Sequence, residues 1–217
     1  MSAACFSDAR VAAVYADYAV RERADAQKMR ALGPAGFAQR DQFLLPVGPE
    51  VGALLHALIV ARRPARILEL GTSYGYSTLF LADAARSVGA ELVTMELADY
   101  KQAHAREQLT EAGLDAVVDF RCGDALAMLE ADPGPWDFVL LDIWKELYPP
   151  CFEAFYPKLS DEAVICADNM IEPAMARPEV RLYREAVRAK ADLQTALLPV
   201  GSGIELTVRW QAENAKL

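Results

Sequence analysis

Ile67-Leu68-Glu69-Leu70-Gly71-Thr72-Ser73-Tyr74-Gly75-Tyr76-Ser77 decides the fold. A short apolar run ends in an acid and two glycines, and a helix-length segment follows from Tyr76 to Arg86. That order reads as strand, tight turn, helix. Downstream the pattern repeats, with apolar runs at Leu92–Met95, Val117–Phe120, Phe138–Leu141 and Ala163–Cys166. The stretches Asp99–Ala112, Leu147–Leu159 and Glu179–Ala191 are long enough to be crossover helices. Five buried strands joined by helices predict an α/β fold with a doubly wound, parallel sheet. Gln194–Val200 and Gly203–Arg209 flank Gly201-Ser202-Gly203 and read as a terminal antiparallel hairpin, giving seven strands.

Upstream, residues 8–32 carry spaced apolars (Val11, Val14, Tyr15, Tyr18) that fit an amphipathic helix, and Gly33-Pro34-Ala35-Gly36 punctuates the chain. A second helix spans Pro49 to Arg62, with Val51, Leu54, Leu55 and Leu58 on one face. The expected organisation is one domain, with an N-terminal helical cap over residues 1–48 and a catalytic core over 49–217. The apolar stripe of residues 8–32 would either pair two copies of the chain or cover the chain's own sheet.

The 217 residues are 53% hydrophobic and 24% charged, the profile of an ordinary globular domain. Their net charge of −9 disfavours nucleic acid or an anionic membrane as partner. Charges at Asp8, Arg10 and Asp17 break any signal-peptide core, and no long uncharged apolar run exists, so the expectation is a soluble cytoplasmic protein. Cys5, Cys122, Cys151 and Cys166 form no Cys-x-x-Cys pair. Three of them sit in apolar runs, as small core residues of a reducing compartment do.

In open α/β sheets ligands bind beyond the carboxyl ends of the strands, where strand order reverses. With the common order 3-2-1-4-5, strands 1, 4 and 5 end side by side there. Gly71 and Gly75 allow close backbone approach, but their spacing is neither Gly-x-Gly-x-x-Gly nor a P-loop, which disfavours a pyrophosphate cofactor. Glu96 ends strand 2, where it could grip the two hydroxyls of a ribose or simply be solvated. Asp124 follows strand 3, where it could face a ligand or cap the next helix. Strand 4 ends in Leu141-Asp142-Ile143-Trp144-Lys145 and strand 5 in Ala167-Asp168-Asn169. Asp142, Asp168 and Asn169 are caps and turn formers by the bland reading. Converging beside a glycine loop, they instead offer hard oxygen donors for magnesium or a similar divalent ion. His56 and His104 are the only histidines, and neither lies near these strand ends.

From Leu45-Pro46-Val47-Gly48 to about Glu205 the chain resembles the class I S-adenosylmethionine-dependent O-methyltransferases of the metal-dependent catechol and caffeoyl-CoA type, with their Rossmann-like sheet and accessory N-terminal helices. The resemblance rests on residues 69–77, on Thr94-Met95-Glu96, on Leu141-Asp142-Ile143-Trp144-Lys145-Glu146-Leu147-Tyr148 and on Ala167-Asp168-Asn169. It implies that Glu69, Gly71, Ser73 and Ser77 hold the methionine end of the cofactor, with Val47 closing over it. Glu96 would take the ribose, Gly123, Asp124 and Ala125 would border the adenine, and Trp144 would pack beside cofactor and substrate. Asp142, Asp168 and Asn169 fall on the metal ligands (Mg2+, or another divalent cation such as Mn2+ or Ca2+), and Lys145 falls on the general base. Glu205 falls on a carboxylate that meets the second, non-methylated hydroxyl, and Asn169 and Lys145 also face the substrate. Phe37 and Phe43 are candidates for the pocket wall. A homodimer is implied as well.

Each assignment has a plainer counterpart: a solvent-exposed lysine for Lys145, an outward strand residue for Glu205, core filling for Trp144. The function implied is methyl transfer to a hydroxyl of a small catechol-like, vicinal-dihydroxy phenolic. In that reaction Lys145, disfavoured as an ammonium beside a sulfonium and a dication, takes the proton. The rival readings are a nicotinamide-dependent Rossmann oxidoreductase and a non-catalytic cofactor-binding module.

Overall fold

The computed structural model of the chain describes residues 6–210, apart from the side chains of Pro34 and Phe37. Cys5 and the Phe37 ring lie outside the described residues. Helix α1 (Ala9–Leu32) is capped by Asp8, whose carboxylate accepts the Arg10 N–H. Gly33 ends it at φ 54°, and Pro34 at once opens α2 (Pro34–Ala38), so the expected plain break is a helix restart. Then follow α3 (Pro49–Arg62), β1 (Arg66–Leu70), α4 (Tyr76–Val88), β2 (Glu91–Glu96), α5 (Asp99–Glu111), β3 (Val118–Cys122), α6 (Ala125–Ala131) and β4 (Trp136–Leu141). The chain continues through α7 (Tyr148–Phe155), β5 (Leu159–Ala167), α8 (Arg177–Arg188), β6 (Leu193–Leu198) and β7 (Ile204–Arg209).

The strands form one sheet of order β3-β2-β1-β4-β5-β7-β6. Pairings β1–β2, β2–β3, β1–β4 and β4–β5 are parallel, while β5–β7 and β6–β7 are antiparallel. Strand order reverses at β1, where β2 and β4 lie on either side.

Period-two alternation divides the core into two layers. Ile67, Leu92, Phe138, Leu140 and Cys166 face a layer that holds residues of α1, α3, α4 and α5. Leu68, Leu70, Val139, Leu141 and Ile165 face the layer of α6, α7 and α8. Val11, Val14 and Tyr18 of α1 are buried in the first layer, and the Tyr18 hydroxyl donates to the Tyr74 carbonyl at 2.6 Å. The stripe of residues 8–32 therefore covers the chain's own fold. Cys151 and Cys166 are buried, whereas Cys122 is exposed at the end of β3. Among the described residues, no helix is long and apolar enough to cross a membrane.

Candidate active site

The turn after β1 is built on backbone that few residues tolerate. Gly71 sits at φ 100°, and a Cβ there would lie 2.1 Å from the Asp142 carbonyl, so the turn presses directly on the end of β4. Ser73, at φ 46°, turns its N–H onto Glu96 Oε2 at 2.8 Å, and Ala98 N–H donates to Glu96 Oε1 at 3.0 Å. Two backbone splints thus fix the half-buried Glu96 carboxylate at the crevice, leaving acceptor capacity for a diol.

Glu69 and Ser77 lie beneath the glycine turn. Alternation along β1 turns Glu69 to the α4 side, where it is fully buried. Its carboxylate accepts Ser77 and Thr94 hydroxyls at 2.6 Å and Thr78 at 2.7 Å. Burial pushes this carboxyl up to about 7 despite the three donors. Glu69 and Ser77 therefore bond to each other beneath the glycine turn, so Glu69 supports the loop from inside.

At the end of β3, Gly123 has φ 149°, a side chain there would meet Met128 Sδ at 3.8 Å, and its N–H donates to the Glu96 carbonyl at 2.9 Å. Asp124 resolves to the capping alternative: exposed, it accepts the Ala127 N–H at 2.9 Å and starts α6 at Ala125. Val47 is buried just before α3. Phe43 is also buried, a few residues upstream.

The ends of β4 and β5 carry the densest chemistry. Asp142 N–H donates to the Leu70 carbonyl at 2.9 Å and Asp168 N–H to the Leu141 carbonyl at 3.1 Å, so both acids are registered by the sheet itself. Asn169 adopts φ 59°, a left-handed conformation that Asn tolerates better than most residues. Asp168 is nearly buried and its Oδ1 has no hydrogen-bond partner. Burial, and next the Asp142 charge, push its carboxyl up to about 7. Lys145 Nζ lies 3.3 Å from Asp142 Oδ1, 3.1 Å from the Ile143 carbonyl and 2.5 Å from the Tyr148 hydroxyl. Trp144 is 43% exposed, with the Arg40 guanidinium 4.8 Å from its ring centroid, which fits a pocket wall and not core filling.

Glu205 is not brought to this cluster's crevice. It pairs with Ala167 across β5–β7 and points to the α8 side, fully buried, where Arg184 Nε lies 3.0 Å from one oxygen and the Thr195 hydroxyl donates to the other at 2.9 Å. It is not the solvent-exposed strand residue of the plainer reading. It is the buried counter-ion of α8. An open cavity of about 510 Å³ begins at Met170 and Ile171, past Asn169, and is rimmed by Arg177, Arg181, Arg184 and Arg188. The α8 arginines, Thr78 and Tyr148 are the contributors that sequence reasoning gave no role. The Lys145-x-x-Tyr148 spacing was the available signal for the last.

A divalent ion fits this donor set. Among the described residues no three His, Cys, Asp or Glu side chains gather into a metal cluster, and the candidate donors here are two carboxylates and an amide. Two carboxylates and an amide are the oxygen donors that magnesium-like ions prefer. The partnerless Asp168 Oδ1 is the buried atom such a cation would satisfy. The splinted Glu96 and the bare Gly123 backbone likewise fit a nucleoside-bearing cofactor.

A sheet of this order, with a glycine turn at its switch point and an acid ending the second strand, defines a Rossmann-like methyltransferase domain. A methyltransferase-domain family profile matches residues 68–170. A probable O-methyltransferase of Mycobacterium tuberculosis is 34% identical over 158 residues, 68% of this chain and 66% of that protein. The catechol O-methyltransferase of Niastella koreensis is 34% identical over 131 residues, 58% of this chain and 59% of that protein. The crystal structure of the O-methyltransferase TomG from Streptomyces achromogenes, solved in complex with S-adenosylmethionine, superposes with a TM-score of 0.70 at 30% identity, covering 77% of this chain and 82% of that one. The chain belongs to the O-methyltransferases, and catechol and caffeoyl-CoA O-methyltransferases are among the proteins it is similar to. It spans slightly under two thirds of the length of the curated relatives just named.

Proposed function

We propose that this protein transfers the methyl group of S-adenosylmethionine to a hydroxyl of a small catechol-like aromatic, with a divalent cation held by Asp142, Asp168 and Asn169. The observation that carries this reading is the pair of acids at adjoining strand ends, one with a buried partnerless oxygen, beside a lysine amine.

The cofactor supplies the electrophilic methyl and the cation supplies Lewis-acid polarisation of the vicinal hydroxyls. Everything else falls to the chain. Glu96 holds the ribose hydroxyls, and the backbone around Gly71, Ser73, Gly123 and Ala125 lines the cofactor, with Val47 above it. Trp144 walls the acceptor and keeps water from the line of displacement. Lys145 receives the hydroxyl proton at Nζ. Homodimerisation would have to use a face other than the buried Val11, Val14 and Tyr18 stripe of α1. No membrane or nucleic-acid partner is part of this reading, and the cytoplasm is its setting.

The test is transfer of a labelled methyl from S-adenosylmethionine to a panel of catechols, flavonoids and acyl-CoA phenols. Turnover is expected on at least one vicinal-dihydroxy aromatic. Asp168→Ala should abolish it while cofactor binding largely survives. Stabilisation by NAD(H) but not by S-adenosylhomocysteine would overturn the reading.

A further inference from the structure

We infer that Tyr148 is a positioning residue for Lys145, its hydroxyl fixing the lysine Nζ at the ends of β4 and β5. The inference rests on the proposed role of Lys145.

The local backbone brings the two together. Lys145–Leu147 form a 3-10 turn that leads into α7 at Tyr148, and in such a turn side chains three residues apart eclipse. Tyr148 cannot drift from that place. Its side chain is fully buried, its ring packs edge-on against Tyr183 at 5.5 Å, and Pro149 and Pro150 stiffen the backbone that follows.

The hydroxyl occupies a junction. It accepts from Lys145 Nζ at 2.5 Å, and its single proton serves the carbonyls of Leu141 at 2.9 Å and Asp168 at 3.1 Å. Those carbonyls belong to the last residue of β4 and to the acid that follows β5. The lysine nitrogen is therefore referenced to the same two strand ends that present Asp142, Asp168 and Asn169. A lysine has four rotatable bonds and, left to itself, would sample many positions over the crevice. A base must lie within hydrogen-bond reach of the proton it takes, so a fixed Nζ is worth rate and not affinity.

Tyr148→Phe keeps the ring and removes only the junction. Its kcat should fall on the order of 10- to 100-fold, up to the low end of what general acid–base catalysis supplies, because the base itself stays present. KM for substrate, S-adenosylhomocysteine affinity and the Mg2+ concentration for half-maximal rate should stay within about twofold. In a Lys145→Ala background the same change should cost nothing further. A spectroscopic readout accompanies these rates: in protein labelled with 15N at lysine Nζ, Lys145 should give a protected Nζ–H signal, identified by its absence in Lys145→Ala and lost in Tyr148→Phe. Wild-type kcat in Tyr148→Phe overturns the inference, as does an additive loss on Lys145→Ala or weakened Mg2+ binding, which would mark a purely structural hydroxyl. Should Tyr148→Phe fail to fold, the absence of a protected Lys145 signal in the wild-type protein overturns it independently. A Lys145→Ala variant with unchanged turnover removes the base itself and the positioning claim with it. Loss in Lys145→Ala beside wild-type Tyr148→Phe removes only the latter.

Discussion

Glu69 shows how one residue of a quoted motif carries a different burden from its neighbours. Its carboxyl ionises near 4.5 when unfolded and near 7 when buried under α4, so between those values the folded state holds the extra proton. Stability from this group is complete below about pH 4.5 and is lost as pH rises to about 7. Glu69→Gln should flatten the fall in Tm across that interval, read by thermal denaturation at stepped pH, and an unchanged slope would discard the assignment. Asp132 acts in the opposite sense at lower pH. Burial alone would raise it, but Arg66, Arg121 and the Gly134 N–H outweigh that and hold it near 2, so its contribution is lost only as pH falls below about 3.8. Glu96→Ala should weaken S-adenosylhomocysteine binding by roughly tenfold or more, the worth of one or two charge-assisted hydrogen bonds, with little change in Tm. Calorimetric titration checks it.

At the scale of elements, α8 is tied to β7 through buried Glu205. Arg184→Ala would leave buried Glu205 with only the more distant Arg188, 3.8 Å from its other oxygen, and should destabilise the fold by up to about 3 kcal/mol, measured by urea unfolding. Glu205→Gln in the same chain should recover part of that loss. The outward-facing alternative for Glu205 failed because alternation says which face a residue takes but not whether a helix covers that face. Other boundaries failed for local reasons. Val117 belongs to a 3-10 turn before β3, and Pro157 stops the helix expected through Leu159, so that β5 begins four residues earlier than its apolar run. The five central strands, α3 and the terminal hairpin were legible because short continuous apolar runs, glycine turns and Pro49 mark them directly.

Across the whole molecule, the net charge of −9 acquires locations. Glu69 lies buried beneath the turn, Glu96 at the end of β2 against the Ser73 N–H, and Asp142 and Asp168 at adjoining strand ends. Which strand ends meet was readable from topology, since order reversal at β1 sets β4 and β5 beside the glycine turn. That Tyr148 joins Lys145 to both strand ends required three-dimensional contacts, because its two carbonyl partners come from different strands. The most direct measurement of the central claim is methyl transfer to a catechol with Mg2+, then with excess chelator, then with Mg2+ restored, with S-adenosylhomocysteine binding followed in parallel. The account predicts that turnover vanishes in chelator and returns with the metal while cofactor binding persists throughout. Full turnover in chelator would contradict it.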